Sequence, residues 1–267
     1  MIRSVVGTIK AIAYFGMRGL VLAIKQPKTP RERAEWLHQS CAGLLKAFDI
    51  RFTVEGRFPE RGVLISNHTG YMDILALAAL SPVVFCAKAE MEGWFFLGWM
   101  ATMAGTVYID RGAGGSADKA TSGMQAAEAD GVPVVFFPEG TTSNGQQVLE
   151  FKTGLLAKSL EADQPITAAY IRYTLDEDNG PDVTVEDDVC FWGDDAPMFR
   201  HIFTFVGLQG THVWVRIAPG PIRFSEPDLD RKVAAVEARE AVVALIPDSM
   251  DPTYAAEDES AMIMHQK

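Results

Sequence analysis

Between residues 51 and 246, short β-rich runs alternate with helical patterns, and this alternation leaves few folds open to the chain. The predicted strands are 51–55 (RFTVE), 62–66 (GVLIS), 83–87 (VVFCA), 106–109 (TVYI), 133–137 (PVVFF), 166–173 (ITAAYIRY) and 211–217 (THVWVRI). The predicted helices between them are 71–80, 91–103, 116–130, 152–162 and 228–246. Such alternation builds an α/β domain: one mixed, largely parallel sheet flanked by helices on both faces. No internal repeat and no long linker divides it. A single domain over 49–247 is expected, preceded by an N-terminal segment (1–48) and followed by a polar tail (248–267) that frays.

The N-terminal segment has its own character. Its most lipid-like stretch, AIAYFGMRGLVLAI (Ala11 to Ile24), has 14 residues and is interrupted by Arg18. Crossing a bilayer takes about 20 apolar residues, and no small-residue cleavage site follows. After Pro27 and Pro30 a second helical pattern places Trp36, Leu37, Cys41, Leu44, Leu45 and Phe48 on one face. Two amphipathic helices in series fit an anchor lying on a membrane, in preference to a single span or a packed hairpin.

Charge supports that reading. The formal net charge is −11, but residues 1–33 carry seven Lys and Arg against Glu32 alone, a net of +6 that leaves −17 elsewhere. Anionic lipid attracts each nearby cation by about 1 kcal/mol. The acidic remainder argues against nucleic acid, whose phosphates need Lys and Arg. Three widely spaced cysteines (Cys41, Cys86, Cys190) form neither a CxxC motif nor a disulfide framework. They are expected to be buried thiols in a reducing compartment.

In an α/β sheet of this kind, ligands bind beyond the carboxyl ends of the strands. Three polar clusters sit there. SNHTGYMD (Ser66 to Asp73) follows GVLIS, GTVYIDR ends on Asp110 and Arg111, and FFPEGTTSNG follows the PVV run. In one regular helix His68 and Asp73 would point about 140° apart. With His68 on the loop, Gly70 between them and Asp73 in the first helical turn, the carboxylate can reach back to the imidazole. It would then fix the tautomer and stabilise the imidazolium. A structural histidine beside a helix-start aspartate is the plainer alternative. Asn67 is placed to orient the loop.

Four blocks together resemble the glycerolipid acyltransferases of the 1-acylglycerol-3-phosphate acyltransferase type. NHTGYMD matches the signature of Asn-His, four residues and Asp. GTVYIDR and FPEGTTS resemble the second and third blocks, and Pro165 of QPITAAYI the fourth. The blocks fall in the family's order across residues 60–175.

The resemblance implies an enzyme in which His68 is the general base and Asp73 its partner. Arg111, Glu139, Gly140, Thr141, Lys88 and Asn67 would bind substrate or shape the site. The acyl donor would be an acyl thioester, either acyl-CoA or acyl-ACP. The acceptor would be a membrane lysolipid, 1-acyl-sn-glycerol-3-phosphate first and lyso-ornithine lipid as the alternative. No metal or organic cofactor is implied. The enzyme would work on the cytoplasmic face of the inner membrane. One departure bears on the acceptor: where phosphate-specific members carry an arginine after EGT, this chain has Thr142.

Rival readings are less well supplied. A metal at His68, Asp73 and Glu139 lacks an HExxH pattern. The glycine-rich RGAGGSADKA is neither a GxGxxG motif nor a P-loop. A non-catalytic lipid-binding module would use the same N-terminus but needs no His–Asp pair. A Cys86 nucleophile has nothing nearby to lower its pKa. The helix MEGWFFLGWMATMAG is apolar nearly all round, as either a core helix or a lipid-facing wall would be.

Overall fold

The computed structural model describes residues 1–93, 95–109, 116–193, 197–226 and 230–247. The helices α1 (Ile2–Lys25) and α2 (Pro30–Ala47) come first, followed by β1 (Arg51–Glu55), β2 (Val63–Ser66), α3 (Tyr71–Leu80) and β3 (Val84–Lys88). A 3-10 turn (Ala89–Gly93) leads to α4 (Phe95–Met103), β4 (Val107–Ile109), α5 (Ser116–Ala129), β5 (Val134–Phe136), α6 (Thr153–Glu161) and β6 (Ile166–Leu175). The chain continues through α7 (Val185–Asp188), α8 (Met198–Phe205), β7 (Thr211–Ile217) and α9 (Arg231–Val243). Every expected strand is present. The expected helix over 91–103 begins as the 3-10 turn, and α7 and α8 were not anticipated.

The strands form one sheet in the order β1-β7-β6-β2-β5-β3-β4. All neighbours run parallel except β6 and β7. The mixed, largely parallel sheet is therefore observed, and it brings the carboxyl ends of β2, β5, β3 and β4 to one edge. The alternation along β2 explains why both faces are covered. Val63 and Ile65 pack with Phe136, Leu156 and Ala238 on the side of α6 and α9. Leu64 turns the other way, to Met72, Leu77, Cys41 and Leu45 on the side of α3 and α2. A run buried on both faces shows no alternation of polarity because neither side meets water.

The N-terminal helices are attached more closely than an appendage would be. Helix α2 starts on a capping box, in which the Thr29 hydroxyl accepts from Glu32 N–H and the Glu32 carboxylate accepts from Thr29 N–H. Its Cys41 and Leu45 belong to the main core. Helix α1 is longer than the apolar stretch read from the sequence. At 24 residues it is long and apolar enough to cross a bilayer, by length and composition. Its Leu22 packs with Trp36, Met100 and Ala104, which accounts for Met100 in the apolar helix α4. Trp99 of that helix is partly exposed. Trp94, Arg111 and the tail 248–267 lie outside the described residues.

Candidate active site

The chain leaves β2 at Ser66 and enters α3 at Tyr71, so only four residues form the turn that carries His68. Asp73, in the first turn of α3, reaches back across it. Its Oδ2 lies 2.8 Å from His68 Nδ1. The same oxygen accepts backbone N–H groups from Thr69 at 2.5 Å and Gly70 at 3.0 Å. Oδ1 accepts the hydroxyls of Thr69 at 2.9 Å and Tyr173 at 2.7 Å. Five donors fill the acceptor positions of one fully buried carboxylate. With Nδ1–H donating to Asp73, His68 keeps Nε2 as the nitrogen free to accept a proton. The imidazole stacks on Phe137 at 3.9 Å between centroids, with the planes 8° apart.

Gly70 earns its place by crowding. Its φ of 165° is ordinary extended backbone. A Cβ there would stand 2.9 Å from the backbone nitrogen of Phe191, whose N–H donates to Thr69 O. The loop 138–145 docks from the other side. Ser143 N–H donates to His68 O at 2.9 Å, and His68 N–H donates to Glu139 Oε1 at 3.0 Å. Gly140 takes a φ of 69°, the left-handed region that suits glycine.

His68 opens into a cavity of about 1820 Å³. Phe85, Ile109, Met124 and Phe136 supply apolar wall, while Lys88, Lys152, Lys158 and Arg231 supply cations. Lys158 also pairs with Glu161 at 2.7 Å. Among the expected substrate-binding residues, Lys88, Gly140 and Thr141 line this cavity, as does Thr142.

Two expectations change. Asn67 is buried, and both ends of its amide bond the backbone of Ile171, at 2.9 and 2.8 Å. It ties β2 to β6 and presents nothing to the cavity. Glu139 is also buried, behind His68 and outside the lining. Its Oε2 has no hydrogen-bond partner among the described residues, and burial pushes its carboxyl up to about 8, against the lowering effect of the nearby His68 and Leu149 N–H groups. Arg111 lies outside the described residues. Pro165 is structural, its carbonyl accepting Val63 N–H at 2.9 Å.

Sequence reasoning missed Tyr173, which sits in β6 a hundred residues from Asp73 and carries no local signal. It also missed Tyr71 and His201. Tyr71 lines the cavity, and its hydroxyl lies 3.0 Å from His201 Nδ1, while His201 Nε2 faces Cys190 O at 2.8 Å. Burial holds His201 below its ordinary pKa. A neutral ring that donates to a carbonyl through Nε2 must accept through Nδ1, so Tyr71 is the donor. All three cysteines are free, and burial raises each thiol to about 12. That leaves Cys86 a poor nucleophile. Among the described residues no group of three His, Cys, Asp or Glu is placed to hold a metal.

A family model described as Acyltransferase matches residues 49–172, the stretch that carries His68, Asp73 and Glu139. The chain is 34% identical over 225 residues to a lyso-ornithine lipid O-acyltransferase of Pseudomonas aeruginosa, covering 82% of this chain and 79% of that protein. It is 35% identical over 147 residues to a 1-acyl-sn-glycerol-3-phosphate acyltransferase of Neisseria meningitidis serogroup B, covering 54% and 58%. The crystal structure of the 1-acyl-sn-glycerophosphate acyltransferase PlsC of Thermotoga maritima superposes with a TM-score of 0.62 over 91% of this chain and 95% of that one. At 17% identity this last match speaks for the fold. Taken with the near full-length likeness to the Pseudomonas protein, these matches establish that the chain belongs to the lysolipid acyltransferase family and is an O-acyltransferase.

Proposed function

We propose that the chain moves an acyl group from a thioester, acyl-CoA or acyl-ACP, to the hydroxyl of a lysolipid, with His68 as general base. The observation that carries this reading is the His68–Asp73 pair, held at 2.8 Å on the floor of a large, half-apolar cavity. His68 Nε2 takes the proton of the acceptor hydroxyl as its oxygen attacks the thioester carbonyl. The tetrahedral intermediate collapses, the C–S bond breaks, and the thiolate leaves with the proton from the imidazolium. Asp73 steadies the imidazolium while it exists. A general base in this role contributes about 10²–10⁴-fold.

The acceptor is the finer question. Sequence reading placed 1-acyl-sn-glycerol-3-phosphate first. Two observations favour the alternative, lyso-ornithine lipid. Thr142 lines the cavity in place of a guanidinium able to grip a phosphate with two parallel hydrogen bonds. The relative named for that acceptor is matched over 79% of its length, against 58% for the Neisseria protein. The cations Lys88, Lys152 and Arg231 suit the carboxylate of such a lipid or the phosphates of a CoA donor. A membrane-associated enzyme at the cytoplasmic face, where acyl thioesters are made, fits this chemistry.

The test is thiol release in detergent micelles from acyl-CoA, then from acyl-ACP. Lyso-ornithine lipid, lysophosphatidate and glycerol-3-phosphate serve as acceptors, for wild type and His68→Ala in parallel. Release with one lysolipid that vanishes in His68→Ala is expected. Undiminished release by His68→Ala would remove the general base. Silence with every pair of substrates would favour a lipid-binding module.

A further inference from the structure

Helix α8 carries phenylalanine both on its buried side and on its exposed one. His201 and Phe205, four residues apart, face inward and are buried. Phe199 and Phe203, also four apart, point the opposite way and are 82% and 38% exposed. The inner face is accounted for by the Tyr71–His201–Cys190 hydrogen bonds and the contact of Phe205 with Tyr71. The outer face has no counterpart among the described residues. A large aromatic left in water on a short, well-anchored helix points to something that covers it.

We infer that the outer face of α8, with Trp192, is a second membrane-contacting surface that seats the cavity mouth at the lipid interface, beside the one on the N-terminal helices. This rests on the lysolipid reading above, and four observations name a bilayer as the occupant.

The surface joins one that already suits lipid. Helix α1 packs against the end of α8 so closely that a Cβ on Gly7 would fall 2.2 Å from Val206 O, and one on Gly207 would fall 2.4 Å from Ser4 Oγ. The neighbouring turns of α1 expose Ile2, Val6 and Ile9. The surface also borders the cavity, since Trp192, Gly193 and Met198 line it together with His68. A lipid acceptor crossing this border need not pass through water.

Trp192 is 44% exposed, yet its Nε1–H already donates to Glu186 O at 2.9 Å. The indole can therefore enter an apolar medium without leaving a donor unpaired. Finally, the patch is small. A stable dimer needs about 800 Å² from each partner, more than three aromatic side chains provide, whereas interfacial insertion proceeds one side chain at a time.

Charge sharpens the prediction. The outer face also exposes Arg200, and the acidic helix α7 (Glu186, Asp187, Asp188), whose Glu186 carbonyl accepts from Trp192, offsets that cation, so anionic headgroups are not what the face recognises. Its attraction to lipid is apolar and insensitive to salt. The cations of residues 1–33 provide the salt-sensitive part.

The experiment compares wild type with Phe199→Ser/Phe203→Ser. Co-sedimentation with phosphatidylcholine vesicles is measured at low salt and at about 0.5 M salt, where surface charge is screened. Partition of the variant is expected to fall roughly tenfold or more at high salt. Turnover of vesicle-borne acceptor should fall with it, while turnover of a short-chain acceptor below its micelle concentration stays unchanged. Equal partition of the two proteins overturns the proposal. So does loss of turnover on the short-chain acceptor, which would place the phenylalanines inside the site. A wild-type dimer that the variant abolishes would assign the face to a second copy. If the double variant fails to fold, Phe199→Ser alone answers, its side chain being almost free of contacts. If wild type acylates no acceptor, the functional reading fails, and partition still decides the surface.

Discussion

The floor of the cavity and its walls are built on opposite principles. On the floor, Asp73 is fully buried and receives five hydrogen bonds, and the backbone of His68 is pinned at its N–H by Glu139 and at its carbonyl by Ser143, both from the loop 138–145. On the walls, Lys88 and Lys152 are exposed and Thr142 faces open space. The floor is fixed before substrate arrives, as proton transfer requires. The walls are left adaptable, which suits substrates that carry long chains. Substitutions in the floor should therefore change kcat, and substitutions in the walls should change which acceptor is used.

The contrast can be broken most severely at Asp73. Asp73→Asn keeps the shape but loses the charge, and kcat should fall by about 10²–10⁴-fold with melting temperature little changed. Near-normal turnover would dismiss the pair. Tyr173→Phe tests whether the floor works as a unit. Removing one hydroxyl from a charged carboxylate should lower kcat about tenfold at constant KM. In an Asp73→Asn background the same change should do nothing more. Equal losses in both backgrounds would mean that Tyr173 matters for packing alone.

On the walls, Thr142→Arg should leave the maximal rate intact while shifting preference toward lysophosphatidate by about tenfold over lyso-ornithine lipid. Parallel changes in both acceptors would detach this position from headgroup choice.

At Glu139 the effect falls on stability and leaves turnover aside, since this residue belongs to the floor without touching the cavity. Burial raises its carboxyl from an ordinary 4.5 to about 8. The folded state thus favours the neutral form. That contribution to stability is complete below about pH 4.5 and is lost as pH rises through 8. The melting temperature of Glu139→Gln relative to wild type should accordingly climb between pH 5 and 8, by at most about 5 kcal/mol in stability. A pH-independent difference would show that Glu139 ionises freely where it lies.

The seven strands were legible because a parallel sheet buried on both faces demands continuous β-branched and aromatic runs, and VLIS and VVF supply them. The His68–Asp73 contact was legible because both residues fall within one short turn. The partners that complete the floor were not. Tyr173 reaches Asp73 only because β6 pairs with β2, and nothing local in YIRYTL announces it. For Asn67 and Glu139 the family resemblance implies substrate binding or site shaping, and from the residues alone Asn67 is placed to orient the loop. Their burial shows that the loop itself needs those hydrogen bonds. Helix α8 escaped notice because its eight residues span little more than two turns, too short a run for its apolar pattern to stand out from the sequence around it.

The close seat of Gly7 on Val206 also bears on how the chain is made. Helix α1 leaves the ribosome well before α8, so one of its resting places is encoded about 200 residues later. At roughly 5–20 residues per second, that position follows after some 10–40 s. Throughout that interval a 24-residue apolar helix has no α8 to lie against. The face of α1 that α2 leaves open would then be covered by a membrane, if one is at hand. The order of synthesis would then bring the enzyme to the bilayer before its active site exists, so that the catalytic domain assembles where its lipid substrate already is.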